Sequence, residues 1–465
     1  MPKYVLALIF GLCLLVGAVS GAQLKIVGGG DVTLEDLIRE KTYVTFVLKS
    51  GARLTNTRIT GVFETTIAFK ELDKEPSAFT LSDIQEIRVQ KDRLPPRRAY
   101  ALGSSLSEDE LIVVERAAER ALEIFKASKG NQGIRMEAAL VLAASTHESK
   151  SEALRYLQGL AAGNDVPTAM AATTFLYLAG IPADPDVIRA GFQSGNRQAR
   201  ASAARLAGLT NNETFLPEVR TMLRDSMVEI FPSAAKAIGR MGGRSDLPEL
   251  YGALHALTEV KGEAAVFALS LMGGEEVHQE MLEMLDKSKG VEWFRVLRVL
   301  YALDDDRAKE LMKTEALLQP AYQRVAALLL AADEVREGTL FLRDYLEKAE
   351  DPVLKNLNFK AKVAETLYMT GDIHAKNLLQ ELVNIRPNTI YARGRTADEK
   401  YKARIATEIQ LHAVRLIGDT GARGLLSLLA GPVESVDPYV AITACTAATA
   451  IGNPEFGARF KDARR

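Results

Sequence analysis

From residue 108 onward the chain repeats one pattern: an amphipathic stretch, a break, then an alanine-rich stretch that is apolar around most of its circumference. Asn196–Gly208 (Asn-Arg-Gln-Ala-Arg-Ala-Ser-Ala-Ala-Arg-Leu-Ala-Gly) is the clearest copy. At 3.6 residues per turn it places Ala199, Ala203, Leu206 and Ala207 on one stripe, with Arg197, Arg200 and Arg205 elsewhere. Comparable stretches end at Gly239, Gly273 and Gly452. A glycine closing such a stretch reads as a helix C-cap, where positive φ is tolerated. The landmarks Gly180, Gly208, Gly239, Gly273, Asp304, Gly371, Gly418 and Gly452 follow one another at short, similar intervals. One interval is doubled, with its inner boundary near Ala332, and one is stretched, between Gly371 and Gly418. Asp184-Pro185, Asp351-Pro352 and Asp437-Pro438 each set an N-cap acceptor before a first-turn proline. Two helices per interval predict a stacked array, because a single pair cannot bury its own stripe.

Before residue 94 the period changes. Thr33–Lys41 predicts one short helix with Leu34, Leu37 and Ile38 on a face. Val44, Phe46 and Leu48 then alternate with Thr45 and Val47, and Ser50-Gly51 makes a turn. Leu54, Ile59 and Val62, Thr65–Lys70, Phe79–Leu81 and Ile84–Val89 continue as strands, about five in all, which suggests a small curled barrel. Leu94-Pro95-Pro96 can neither continue a strand nor sit deep in a helix, and reads as a linker. The predicted organisation is a β domain at 23–93, a linker at 94–106, a helical repeat domain at 107–455 and a tail at 456–465. The end of that tail, Arg459–Arg465, is expected to fray.

Two resemblances follow from these residues. The leading helix, Val44-x-x-x-Leu48-x-x-Gly51, the strand through Ile59-x-Gly61 and Leu81-Ser82-Asp83-Ile84-x-x-Ile87 resemble the Sm-like fold over about 33–90. The Asp/Asn pair with which that family contacts RNA is replaced by Glu64-Thr65-Thr66-Ile67-Ala68, so the resemblance implies the fold alone. The alanine-rich helices from about 108 to 455 resemble HEAT repeats, about ten pairs. The expected fold class is therefore mainly α, a HEAT-like α-solenoid behind a small N-terminal Sm/SH3-like β-barrel.

Composition narrows the setting. A hydrophobic share of 47% excludes global disorder, and a formal charge of −2 gives no bulk attraction to nucleic acid or anionic membrane. Lys3, the apolar run Tyr4–Val19 and Val19-Ser20-Gly21-Ala22 read as a secretory signal over 1–22, cleaved after Ala22, or after Gly21. An uncleaved anchor is the other reading. Cleavage removes Cys13 and leaves Cys445 alone, so no intramolecular disulfide is expected. A periplasmic or secreted location fits best.

Candidate chemistry is sparse. With five histidines and neither His-Glu-x-x-His nor Cys-x-x-Cys, no metal site and no cofactor is expected. His278 reads as a surface residue, and Asp304-Asp305-Asp306 as helix capping rather than a cation loop. Cys445 aligns with Ala201 as a small packing residue. Trp293 reads as core filling, with an anchor on the inner surface as its alternative. The strongest irregularity is the basic insertion 385–404. Tyr391, Arg393, Arg395, Tyr401 and Lys402 are its candidate partner-binding residues, the other reading being a solvated loop. The expected function is a non-catalytic, exported scaffold that binds another protein on its helical surface, with the β domain docking or oligomerising it. The competing classes are a binder of nucleic acid or another polyanion, and an enzyme accessory resembling HEAT-like lyases.

Overall fold

The computed structural model describes residues 25–27, 34, 37, 43–50, 53–62, 65–71, 77–89, 106–224, 229–241, 244–348, 354–372, 374–385 and 397–464. The signal at 1–22, the linker before residue 106 and the Asp351-Pro352 helix start lie outside them. The chain divides into two compact units, Met1–Ser105 and Leu106–Arg465.

The first unit is a small sheet. Its strands are β1 (Lys25–Val27), β2 (Tyr43–Leu48), β3 (Arg53–Val62), β4 (Thr66–Glu71), β5 (Ser77–Thr80) and β6 (Ile84–Val89), in the order β1-β6-β2-β3-β4-β5. All neighbours are antiparallel except β1 and β6. Alternation puts Val44, Phe46, Ile59, Ile67, Phe69 and Ile87 into one core, joined by Leu37. Phe69 stacks on Phe79 at 4.5 Å, and Phe46 closes the aromatic cluster. Register shifts at Val44/Phe46, Val47/Leu48 and Ile59/Gly61 bend the strands. The expected barrel does not close among the described residues. β6 is paired with β2 on one edge and with β1 on the other, so it has no free edge for β5. Sequence periodicity did not reveal β1, which is only three residues long.

The second unit is helical throughout, with 21 α-helices among the described residues. They come as pairs: α1 (Glu108–Ala127) and α2 (Gln132–Ala144), α3 (Lys150–Ala161) and α4 (Val166–Leu178), α5 (Pro185–Gln193) and α6 (Arg197–Leu209). Then follow α7 (Leu216–Leu223) and α8 (Phe231–Met241), α9 (Leu247–Leu254) and α10 (Glu259–Met272), α11 (Gly274–Lys287) and α12 (Gly290–Ala302). The series ends with α13 (Asp306–Thr314) and α14 (Gln323–Ala332), α15 (Arg336–Lys348) and α16 (Leu354–Met369), and α17 (His374–Val383) and α18 (Ala397–Thr420). After a 3-10 turn come α19 (Ala430–Val433), α20 (Pro438–Gly452) and α21 (Pro454–Arg464).

Local signals set the boundaries. Ser107 and Glu110 form a capping box at α1, and Asp165, Asp184, Asn196, Asp305 and Asp437 each accept a first-turn backbone N–H. The alanine-rich second helices α4, α6, α12, α14 and α16 end in the same 6→1 and 5→2 hydrogen-bond pair. At α4 these are Ile181 N–H to Leu176 O and Gly180 N–H to Tyr177 O. The residue carrying positive φ is Gly180, Asn211, Asp304, Glu334 or Gly371. Thus only some landmark glycines are caps. Gly208, Gly239, Gly418 and Gly452 lie inside their helices instead, and have no positive φ.

Their role is close approach. A Cβ on Gly208 would stand 2.7 Å from Ala237 Cα, on Gly239 2.8 Å from Ala268 Cα, and on Gly418 2.9 Å from Ala447 Cα. Each contact joins the second helix of one pair to the second helix of the next. These helices are buried on nearly every side, as the alanine-rich pattern requires: in α8 Ala234, Ala235, Ala237 and Ile238 are fully covered. The sequence of contacts α2–α4–α6–α8–α10–α12 continues through Phe294 of α12, stacked on Tyr322 at the start of α14, and then through α16, α18 and α20. It then returns to its origin, since α20 packs on both α1 and α2. Gly452 faces Val114 of α1 there, and Arg116 forms a forked ion pair with Glu434. The helical unit is a circuit closed on itself rather than an array with two free ends.

The predicted frayed tail is also corrected. Residues 454–464 form α21, which turns back tightly because Gly457 lies against the Ala450 carbonyl. Phe456 is fully buried, Arg459 donates to the Leu178 carbonyl at 3.0 Å, and Arg464 pairs with Asp419 at 2.8 Å. With Arg240 of α8 donating to Asp462, α21 bridges helices from widely separated parts of the circuit.

Gly208→Ala is predicted to lower the unfolding midpoint. Overpacking costs about 1–3 kcal/mol, against about 1 kcal/mol gained in helix propensity. Gly252→Ala in α9, where an added Cβ meets nothing within 4 Å, should raise it. Thermal unfolding followed by circular dichroism reads both signs; equal shifts would contradict the packing role.

Candidate partner-binding groove

The solvent-facing positions of the second helices line up between pairs. Arg205 of α6, Lys236 of α8, Phe267 of α10, Arg298 of α12 and Leu329 of α14 recur at one common interval. Four of them, Lys236 through Leu329, line a groove of about 870 Å³ across α8, α10, α12 and α14. Its floor is Ala264, Val266 and Ala302, and Glu263, Ser270, Tyr301, Asp304 and Asp333 stand along it.

The charges in the groove are unevenly compensated. Arg298 pairs with Glu263 at 2.6 Å and lies over the Phe294 ring. Asp304 is held by Lys309 at 2.8 Å. Burial, aided by a hydrogen bond to Asp333, holds the Tyr301 hydroxyl well above the ordinary phenol range. At the other end Lys236 Nζ and Arg240 Cζ lie 5.4 and 5.5 Å from the same Phe267 ring centroid. Burial and the neighbouring guanidinium groups of Arg205 and Arg240 lower the Lys236 ammonium, and burial and Arg240 lower Arg205.

Beside α21 a smaller cavity of about 270 Å³ is lined by Glu137, Phe175, Arg415, Thr443, Phe460 and Arg464, among others. Burial raises the Glu137 carboxyl, and Arg415 opposes the shift. Nearby on α16, burial and the Asp419 carboxylate raise Glu365 to about 7, against Lys461, Lys362 and Arg464.

Of the residues singled out in the sequence, Tyr391, Arg393 and Arg395 lie outside the described residues. Tyr401 and Lys402 fall within the first turns of α18. Trp293 packs half-buried against the core, beside Tyr322 at 6.1 Å. His278 is less exposed than expected and bonds Asp305 at 2.9 Å, while Asp305 also caps α13. Cys445 is fully buried, and burial pushes its thiol up to about 12. No group of three His, Cys, Asp or Glu able to hold a metal occurs among the described residues. The groove was missed because its residues are far apart in the chain. Their common interval was the available signal.

Fold and groove together define a mainly α-helical repeat protein with a small, largely antiparallel sheet at its N-terminus. No protein-family model matches the chain, and no curated protein matches it. Among solved structures, the crystal structure of an engineered protein is similar at 15% identity, with a TM-score of 0.24, over 68% of this chain and 98% of that one. A likeness that slight says nothing about what the groove binds.

The raised Glu365 carboxyl has a definite consequence. Between the ordinary carboxylate pKa and about 7 the folded chain holds a proton that the unfolded chain has lost, so this group's stabilisation fades as pH rises through that window. Glu365→Gln is predicted to raise the melting midpoint more at pH 8 than at pH 5. A pH-independent difference would contradict the assignment.

Proposed function

We propose that this protein is an exported, non-catalytic scaffold whose helical unit, HEAT-like in kind, holds an extended segment of a partner protein in the groove across α8–α14. The single observation supporting the reading is the groove itself. It is long, open, apolar along its floor and studded with charged and aromatic side chains at one repeat position, the composition that suits a peptide chain better than a small metabolite. The basic segment 385–404 adds a second contact to the partner through Tyr391, Arg393, Arg395, Tyr401 and Lys402. The sheet unit, a relative of Sm/SH3-like barrels, serves as the docking or oligomerising element. Export rests on the pattern of residues 1–22. No helix among the described residues is long and apolar enough to cross a membrane.

A photo-crosslinking residue placed at Ser270, inside the groove, is predicted to trap a discrete protein in cells, and one at the exposed Glu283 of α11 is not. Equal trapping at both positions, or none at Ser270, would contradict the reading. Mass spectrometry of the native protein is expected to find Gln23 at the mature N-terminus.

A further inference from the structure

The groove is polarised. Along α10–α14 its charged groups are largely matched within the chain: Glu263 by Arg298, Asp304 by Lys309 and Asp333 by the Tyr301 hydroxyl. Glu259 stands in the first turn of α10, where the helix dipole favours it. The α6–α8 end is different. Lys236, which lines the groove, and Arg240 share the Phe267 ring at 5.4 and 5.5 Å, and Arg205 holds the same repeat position as Lys236 one pair earlier, on α6. Among the described residues one carboxylate pairs with these cations: Arg240 Nη2 donates to Asp462 Oδ1 at 3.1 Å and to the Asp462 backbone carbonyl at 2.8 Å. Part of the Arg205 side chain stays open to solvent, and neither it nor Lys236 has an ion pair among the described residues. Half-buried like charges on adjacent rigid helices are costly, and the cost is relieved when an anion sits among them.

We propose that the α8 end of the groove, with the adjoining surface of α6, is the seat of an acidic protein segment, two or more Asp or Glu side chains engaging Lys236 and Arg240 beside Phe267 and Arg205 on α6, with Asp462 of α21 as the resident carboxylate they compete with. The assignment rests on the partner-binding reading and names the chemistry of the partner. Backbone and apolar groups of the same segment continue along the Ala264–Ala302 floor, where no further charge is called for. Two cations without an ion pair among the described residues, beside one already engaged, call for at least two carboxylates. Phe267 supplies an apolar face against which the segment's methylene groups pack.

The test is fluorescence anisotropy of a labelled hexapeptide of alternating Asp and Glu on the full chain, with a Lys/Arg hexapeptide as control. The acidic peptide is expected to bind, and to weaken as salt is raised from about 50 to about 200 mM. Arg205→Glu with Lys236→Glu should weaken it by about tenfold or more. Asp462→Ala should tighten it severalfold by removing the competing carboxylate. Arg205→Met with Lys236→Met, which removes charge while keeping the side-chain stems, should weaken it in the same direction. Unchanged affinity in the charge variants, binding of the basic peptide instead, or no binding by both the unaltered chain and Asp462→Ala would overturn the assignment. If crosslinks form at position 270 while the charge variants bind the acidic peptide normally, the groove reading survives and the acidic segment does not.

Discussion

Backbone-to-backbone contact between successive second helices is the constraint on which the helical unit depends. Where Gly208 meets Ala237, Gly239 meets Ala268 and Gly418 meets Ala447, there is no room for one added carbon. Dispersion between surfaces this close is small per atom and large in sum, and it fixes the rotation from each pair to the next. The first helix of each pair then packs on its second helix. Arg295 shows how tightly the layers are coupled: its buried guanidinium donates to the carbonyls of Leu254 and Ala256 at the end of α9, in space left by Gly262.

The contacts from each pair to the next bring the last helices back to the first. Gly452 is again a site of close approach, here to the Val114 side chain, and joins chain segments more than three hundred residues apart. Closure removes the two exposed ends that an open array must protect with polar caps. It also explains α21, which becomes a strut: Phe456 is covered, and Arg459 and Arg464 reach acceptors on α4 and α18.

Much of this was written in the sequence, though unevenly. The helical pairs, their caps at Asp184, Asn196 and Asp437, and the buried alanine stripes follow from local rules that act within one or two turns. Closure was not legible, because nothing local distinguishes Gly452, which meets the first helix, from Gly208, which meets the next. The two kinds of glycine were merged for the same reason: Gly180 carries positive φ and Gly208 does not, yet both end an apolar run. In the sheet, alternation located β2 to β6, but the pairing of β1 with β6 is a long-range choice. The column from Arg205 to Arg298 was readable only once the repeat length was known, and its charged members look like ordinary solvated residues one helix at a time.

The most direct test of the closed circuit is a crosslink across its seam. A Cβ on Gly452 stands 3.4 Å from Val114 Cβ, a spacing close to that of a disulfide. With Cys13 and Cys445 replaced by Ala, the Val114→Cys, Gly452→Cys chain is predicted to oxidise to an intramolecular disulfide in the folded monomer, seen as faster migration on a non-reducing gel. Free thiols that persist under oxidant in the folded protein, or disulfides formed only between molecules, would mean that the first and last pairs do not meet.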